Sequence, residues 1–86
     1  MASSYFNTAA SGLVKSGMGK LTGVFVASAS ATPTIKLWDA MSAAAPVLVN
    51  TFTPVAATYY RFPEVAFTRG LYITISGTVD ATVFFE

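Results

Sequence analysis

Along most of the chain, apolar and polar residues alternate with a period of two, and no segment keeps helical spacing. The pattern is clearest in residues 71–76, where Leu71, Ile73 and Ile75 alternate with Tyr72, Thr74 and Ser76. A half-buried strand shows this pattern because its successive side chains point to opposite faces of the sheet. The sequence therefore predicts an all-β fold.

Glycine and proline divide this pattern into short segments about ten residues apart, as in β-sandwiches. Two breaks are marked by Pro54 and Pro63, and a third by the Gly77-Thr78 pair. The spacing predicts a compact, jelly-roll-like β-sandwich of six to eight short antiparallel strands, with a small barrel as the alternative. The predicted strands cover residues 21–28, 34–39, 47–53, 58–62, 65–67, 71–76 and 79–85, with a loop at 29–33.

Residues 1–19 differ from the rest because they are rich in Ser, Ala and Gly. We expect an extended N-terminal arm there, with a short strand at residues 13–15, followed by a single β-sandwich domain over residues 20–86. Tyr5 and Phe6 are the large side chains near the start of this arm, and in an assembly they could dock on a neighbour. A frayed terminus is the alternative, and a signal peptide is not expected.

Two positions within the predicted domain have local features of their own. Gly23 interrupts a strand pattern, which indicates a β-bulge or a close backbone approach. Asp39 could cap a single helical turn that Pro46 ends, although a plain loop fits the segment equally well.

The composition is poor in charge for a chain that would form one domain. Hydrophobic residues make up 53% of the 86 residues and charged residues 10%, whereas about 25% is typical of soluble domains. So few charges cannot cover a free surface, and we expect partner subunits to cover part of it. Disulfides cannot stabilise the chain, which has no cysteine. The sequence therefore predicts a homo-oligomer or a subunit of a larger assembly.

The charges that are present are scattered and sum to +1. Binding to nucleic acid or to an anionic membrane usually needs a cluster of basic residues, and the sequence has none. No apolar stretch approaches the roughly 20 residues of a membrane-spanning helix. We therefore expect neither direct nucleic-acid binding nor a membrane partner.

The sequence offers little for catalysis. Without histidine or cysteine, neither a Ser-His-Asp nor a Cys-His arrangement can form. Asp39, Glu64, Asp80 and Glu86 fall at predicted turns, strand edges or the chain end, where carboxylates usually bind local backbone groups. No P-loop or dinucleotide-binding motif is present. We expect no enzyme activity, no cofactor and no metal site.

Aromatic residues and arginine are enriched at the centres of protein interfaces, which makes them candidate contact residues. Within residues 58–62, Tyr59 and Arg61 share one strand face and Tyr60 and Phe62 the other, so one pair must belong to the core. The remaining pair could anchor a protein interface or stack on a ligand. The predicted interface residues are Tyr5, Phe6, Trp38, Tyr59, Tyr60, Arg61 and Tyr72.

Three segments, residues 20–26, 34–39 and 70–78, precede a final aromatic strand. In this order they resemble the small all-β virion proteins of tailed bacteriophages that decorate or cement the capsid, over residues 20–85. The resemblance implies a protein made in the host cytoplasm that sits on the outer face of the phage head. There it would bridge subunits of the major capsid protein, often as a trimer, and reinforce the shell.

Two other functions remain open from the sequence. One is a tail, fibre or neck component of the same kind of particle, which differs in location and symmetry. The other is a small carbohydrate-binding module that would use Trp38, Tyr59, Tyr60 and Tyr72. Such a module would be a monomer with a cleft and coplanar exposed aromatic rings, whereas a capsid protein would bury these rings between subunits.

Overall fold

The structure is a computed structural model that describes residues 4–86, the side chain of Ala31 excepted. Strands make up most of the described chain, they pair antiparallel throughout, and residues 4–86 contain no helix. The all-β prediction is confirmed. The six strands are β1 Ser4–Thr8, β2 Gly12–Ser16, β3 Gly19–Trp38, β4 Val47–Phe52, β5 Thr58–Phe67 and β6 Gly70–Phe85.

Two long strands, β3 and β6, form the centre of the fold. β3 has 20 residues and β6 has 16, and they pair from Leu21 opposite Phe85 to Trp38 opposite Tyr72. Each of these strands takes part in two half-sheets. Near the end of β6 the strand order is β1-β6-β3-β5, and near its start the order is β2-β6-β3-β4. We call these the first and the second half-sheet.

The two half-sheets pack on each other around one hydrophobic core. The shortest dimension of the molecule, 17 Å between Cα atoms, fits two sheet layers about 10 Å apart. A compact β-sandwich is therefore confirmed, whereas the jelly-roll connectivity stays a prediction. The core residues come from both halves, namely Val14, Leu21, Val24, Val26, Ile35, Leu37, Phe67, Leu71, Ile73, Val79, Ala81 and Val83.

Where the sequence predicts a loop at residues 29–33 and a turn at Gly77, the structure has bends within continuous strands. The β3–β6 register shifts between Ser30 and Thr34, and pairing resumes on both sides of the shift. Thr32 has a φ of 53° and Gly77 a φ of 78°, both in the left-handed region. Such positions let the chain bend without ending the ladder. The prediction of separate short strands here is wrong.

The structure also corrects the prediction of an extended N-terminal arm, because the described part of that arm belongs to the sheet. β1 pairs with the end of β6 and β2 pairs with its start. Phe6 packs against the core and Val14 is part of it. The short strand predicted at residues 13–15 is confirmed as part of β2, whereas residues 1–3 lie outside the described residues.

β5 runs through Pro63, where the sequence predicts a break between two strands. Proline cannot donate a ladder hydrogen bond, but β5 pairs only with β3 and is an edge strand, where proline is tolerated. Glu64 next to it has a φ of 48°, and the β3–β5 register shifts between Leu21 and Gly23. The predicted bulge at Gly23 is thereby confirmed.

Replacing a core leucine tests this assignment of the core. Leu37→Ala removes a side chain with 0% exposure, so we expect a loss of about 2–5 kcal/mol in the free energy of unfolding. Leu13→Ala is the matched control, because Leu13 is 37% exposed on the solvent-facing side of β2. This substitution should lower the free energy of unfolding by less than about 1 kcal/mol. Urea unfolding measures both values, and equal losses would contradict the assignment.

Candidate functional site

The outer face of the first half-sheet carries most of the exposed aromatic surface. Its strands bring Tyr5 opposite Phe84, Phe84 opposite Gly23, and Gly23 opposite Arg61. In the neighbouring row, Phe25 lies opposite Tyr59. Because opposite residues of antiparallel strands share a face, these side chains form one surface. We call it the outer aromatic face, made of Tyr5, Phe25, Tyr59, Arg61 and Phe84.

Gly23 makes room for the central ring of this surface. A Cβ at Gly23 would lie 2.6 Å from Tyr59 Cε1, so the Tyr59 ring occupies the space over the glycine. The group that lies close to Gly23 is thus a side chain and not the backbone that the sequence offers as one alternative. The ring centre of Tyr59 is 6.1 Å from that of Phe84, and the two planes meet at 78°. Edge-to-face contacts of this kind are favourable between aromatic rings and fix the position of Tyr59.

These rings remain open to solvent although they are large and apolar. Tyr5 is 73% exposed, Tyr59 51% and Phe25 38%. Clusters of this kind on a soluble surface mark binding sites more often than isolated exposed residues do. The outer aromatic face is therefore a candidate contact surface.

An open depression of about 620 Å³ lies on this face between Phe25, Tyr59 and Phe84. Arg61 and Glu64 add charged groups to its wall. Glu64 forms an ion pair with Lys20, with 3.7 Å between Glu64 Oε1 and Lys20 Nζ. This is the one salt bridge among residues 4–86. The guanidinium of Arg61 makes no ion pair within the same residues, so the depression offers a free cation beside aromatic rings.

The outer face of the second half-sheet holds two other predicted contact residues, Trp38 and Tyr72, which lie opposite each other. Trp38 donates a hydrogen bond from Nε1 to Thr74 Oγ1 at 3.3 Å. Lys36 Nζ lies 4.3 Å from the centre of the Trp38 ring, a cation–π contact. Both rings are half-buried, and Trp38 already has partners within the chain. This face is therefore less available for contact than the outer aromatic face.

Phe6 and Tyr60, also among the predicted contact residues, are half-buried and pack against the core. The Tyr60 hydroxyl accepts a hydrogen bond from the Val55 N–H at 2.8 Å, and its ring centre is 5.1 Å from that of Phe52. The prediction that one aromatic pair of β5 is core is confirmed, with Tyr60 and Phe62 as that pair. Phe6 packs against the core of its own chain, and a contact with a neighbour stays a prediction.

The sequence interpretation missed Phe25 and Phe84. Phe25 is four residues after Leu21 in β3, so strict alternation would place both side chains on the core face. The bulge between Leu21 and Gly23 reverses this alternation, and Val24 becomes the buried residue instead. Phe84 is hidden in an apolar run between Val83 and Phe85, both of which pack in or on the core. The signal that could have found Phe25 was Gly23 itself.

Asp39 follows β3 in a segment of bends and not in a helical turn, which supports the plain-loop alternative. Its Oδ1 accepts hydrogen bonds from the backbone N–H groups of Thr68 and Arg69, each at 2.9 Å. Partial burial tends to raise the pKa of this carboxyl. The backbone hydrogen bonds of Arg69, Thr68 and Gly70, with the Thr68 hydroxyl, lower the pKa below its ordinary value by a larger combined effect. Asp39 thus ties the β3 end to the β5–β6 turn.

The geometry defines a compact all-β sandwich with an exposed aromatic face. Comparisons with protein-family models, with curated protein sequences and with solved structures each found no match to this chain. Over residues 4–86, no helix is long and apolar enough to span a membrane. In the same part of the chain, no three His, Cys, Asp or Glu residues group as metal ligands.

The Asp39 contacts predict a pH dependence of stability. Since the folded-state pKa of Asp39 lies below its ordinary value of 3.8, its contribution is present above that value and is lost as the pH falls through the folded-state pKa. We expect Asp39→Ala to cost about 1 kcal/mol at pH 7, because the carboxylate is partly exposed. The difference from the wild type should shrink in acid.

Thermal unfolding from pH 7 down to pH 2 measures this difference. Asp80→Ala is the matched control, because the Asp80 carboxylate accepts a side-chain hydrogen bond from Asn7 and no backbone N–H. We expect this control to lower the stability less at pH 7. An Asp39→Ala deficit that stays constant down to pH 2 would show that the charge of Asp39 does not contribute.

Proposed function

We propose that the protein is a structural virion protein, a decoration or cement subunit that binds the outer face of a phage head. It stabilises the shell through protein–protein contacts with the major capsid protein, as part of a homo-oligomer on the capsid surface. The observation that carries the proposal is the outer aromatic face, which a free monomer would leave in water. The resemblance of residues 20–85 to such virion proteins supplies the type of partner.

The chemistry of the outer aromatic face supports protein contact. Tyr5 and Tyr59 are large, rigid and amphipathic, and Arg61 has no ion-pair partner among the described residues. Tyrosine and arginine are the side chains that most often dominate the binding energy of interfaces. With 10% charged residues in the chain, few charges would need to be desolvated on binding.

The arrangement of the rings favours a protein partner over a sugar. A carbohydrate-binding module needs exposed rings that lie coplanar with the sugar, but Tyr59 and Phe84 meet at 78°. Tyr60 is tied to the core, and Trp38 and Tyr72 lie on the other half-sheet. A location on the tail, fibre or neck of the particle would use the same surface and remains the second candidate.

Substitution on the outer aromatic face tests the proposal. Tyr59→Ala removes its central ring, and we expect binding to capsids to weaken by at least tenfold, the size of a central interface residue. Tyr72→Ala on the opposite half-sheet is the matched control and should change the affinity less than threefold. Co-sedimentation of the purified protein with capsids that lack it measures both affinities.

The outcomes separate the candidates. If Tyr72→Ala weakens binding and Tyr59→Ala does not, the shell contacts the other face. If the wild-type protein binds tails and not heads, the second candidate is correct. Binding to neither, together with binding to a glycan array, would reject the virion proposal in favour of the sugar-binding module.

A further inference from the structure

We propose that β1 is an open sheet edge through which two copies of this chain pair, antiparallel, into one continuous sheet. The proposal goes beyond the proposed function, because it assigns the contact between copies and not the contact with a shell. It rests on a comparison of the four edge strands: β1 and β5 in the first half-sheet, and β2 and β4 in the second.

β5 is blocked against further pairing. Pro63 has no N–H to offer, and Glu64 has a positive φ that bends the strand at a register shift. Arg61, Glu64 and the Lys20–Glu64 ion pair also place charges along this edge. Proline, bulges and charges are the features by which natural sheets protect their edges from pairing.

The two edges of the second half-sheet are blocked by other means. β2 has a register shift between Leu13 and Lys15, and Lys15 Nζ donates to the backbone carbonyl of Ser16 at 3.3 Å. β4 has two register shifts, and its Thr51 N–H already donates to Asn50 Oδ1 at 2.8 Å. The Thr51 N–H is therefore not available to a second strand, and the Lys15 side chain lies over the carbonyl of Ser16 at the β2 edge.

β1 has none of these features. Its five residues pair with β6 without a register shift, and none of them is charged or proline. Within residues 4–86, the hydrogen bonds that β1 makes outside its ladder come from the side chains of Asn7 and Thr8. None of these bonds uses the backbone of residues 4–7, so that side of the strand has no partner among the described residues. Tyr5, beside it, is 73% exposed.

The occupant that fits this edge is a second copy of the same strand. A two-fold axis brings two copies of the same strand together, so any charge on the strand is present twice at the paired edge. β1 carries no charge, whereas pairing through β2 would bring two copies of Lys15 to the shared edge. The register centred on Phe6 pairs all five residues and places Tyr5 opposite Asn7 of the other copy.

This pairing would make an eight-stranded sheet from two four-stranded half-sheets. The two-fold axis is perpendicular to the sheet, so the outer side of each copy stays on the outer side of the joint sheet. The two outer aromatic faces then become one continuous surface on which a shell protein could bind. The contact produces dimers or even-numbered assemblies, and it replaces the trimer that the family resemblance implies.

Cysteine cross-linking tests the register directly, since the chain has no cysteine of its own. Opposite residues of antiparallel strands have Cα atoms about 4.5–5.5 Å apart, within reach of a disulfide. We expect an equal mixture of Tyr5→Cys and Asn7→Cys to form a mixed disulfide under mild oxidation. Met18→Cys is the matched control, because Met18 is 71% exposed and lies outside β1. It should form disulfides only at the background level.

Each outcome of the cross-linking decides between alternatives. Disulfides within Tyr5→Cys alone or Asn7→Cys alone would support pairing through β1 and overturn the register centred on Phe6. Cross-linking no greater than that of Met18→Cys would overturn the proposal. Circular dichroism of each variant shows that the sheet is retained.

A mass measurement gives an independent result that does not involve a shell. Because a five-residue edge is smaller than a standard interface, we expect a concentration-dependent monomer–dimer equilibrium in light scattering. Tyr5→Lys places two like charges at the paired edge and should weaken the dimer at least tenfold, whereas Met18→Lys should leave it unchanged. A wild-type mass of one or of three copies at every concentration would overturn the proposal. A dimer that fails to bind capsids would reject the proposed function alone.

Discussion

The antiparallel ladder between β3 and β6 is the interaction on which the rest of the structure depends. These two strands pair with each other and with all four shorter strands, so every other strand is held in place by one of them. Their inward side chains supply most of the core, including Leu21, Leu37, Ile73 and Val83. Since the ladder bends near Thr32 and Gly77 and resumes beyond the register shift there, its two ends form two layers that can face each other.

The ladder also decides where the aromatic side chains lie. Strand alternation sends half of the large residues inward, and the inward set is filled mostly by Val, Leu and Ile. Tyr5, Phe25, Tyr59 and Phe84 fall on the outer side because their strand neighbours occupy the core. The bulge at Gly23 then lets the Tyr59 ring lie against the sheet. An aromatic outer face is thus a direct result of the register of β1, β3, β5 and β6.

Local pattern could predict which residues are strands, because an alternating segment such as residues 71–76 has one clear core face. It could not predict that residues 29–33 and Gly77 continue a strand, since breakers such as Pro33 and Gly77 indicate a turn when each is considered alone. Whether such a position ends a strand depends on whether a partner strand bends with it, which is a tertiary property. The same holds for β1 and β2, whose short sequences gain strand structure from their pairing with β6.

The candidate site was predictable to a similar extent. Tyr59 and Arg61 could be placed on one face from their spacing in β5. Tyr60 could not be assigned to the core until the partner residues of β5 were known. Phe25 could not be assigned to the outer face, because one inserted residue reverses the alternation. Aromatic content indicated contact residues, but the register selected which of them face outward.

The pairing of β3 with β6 also has a consequence for the order of events in folding. Leu21 lies opposite Phe85, so the central ladder joins residues from distant parts of the chain. Contacts of such long sequence separation form slowly, because a large loop must close before they contribute. During synthesis, β3 leaves the ribosome before β6, so the edge of β3 that pairs with β6 stays open until β6 follows. An open edge of this length is a place where another chain could pair, so the separation of β3 and β6 in sequence sets how long that edge is exposed.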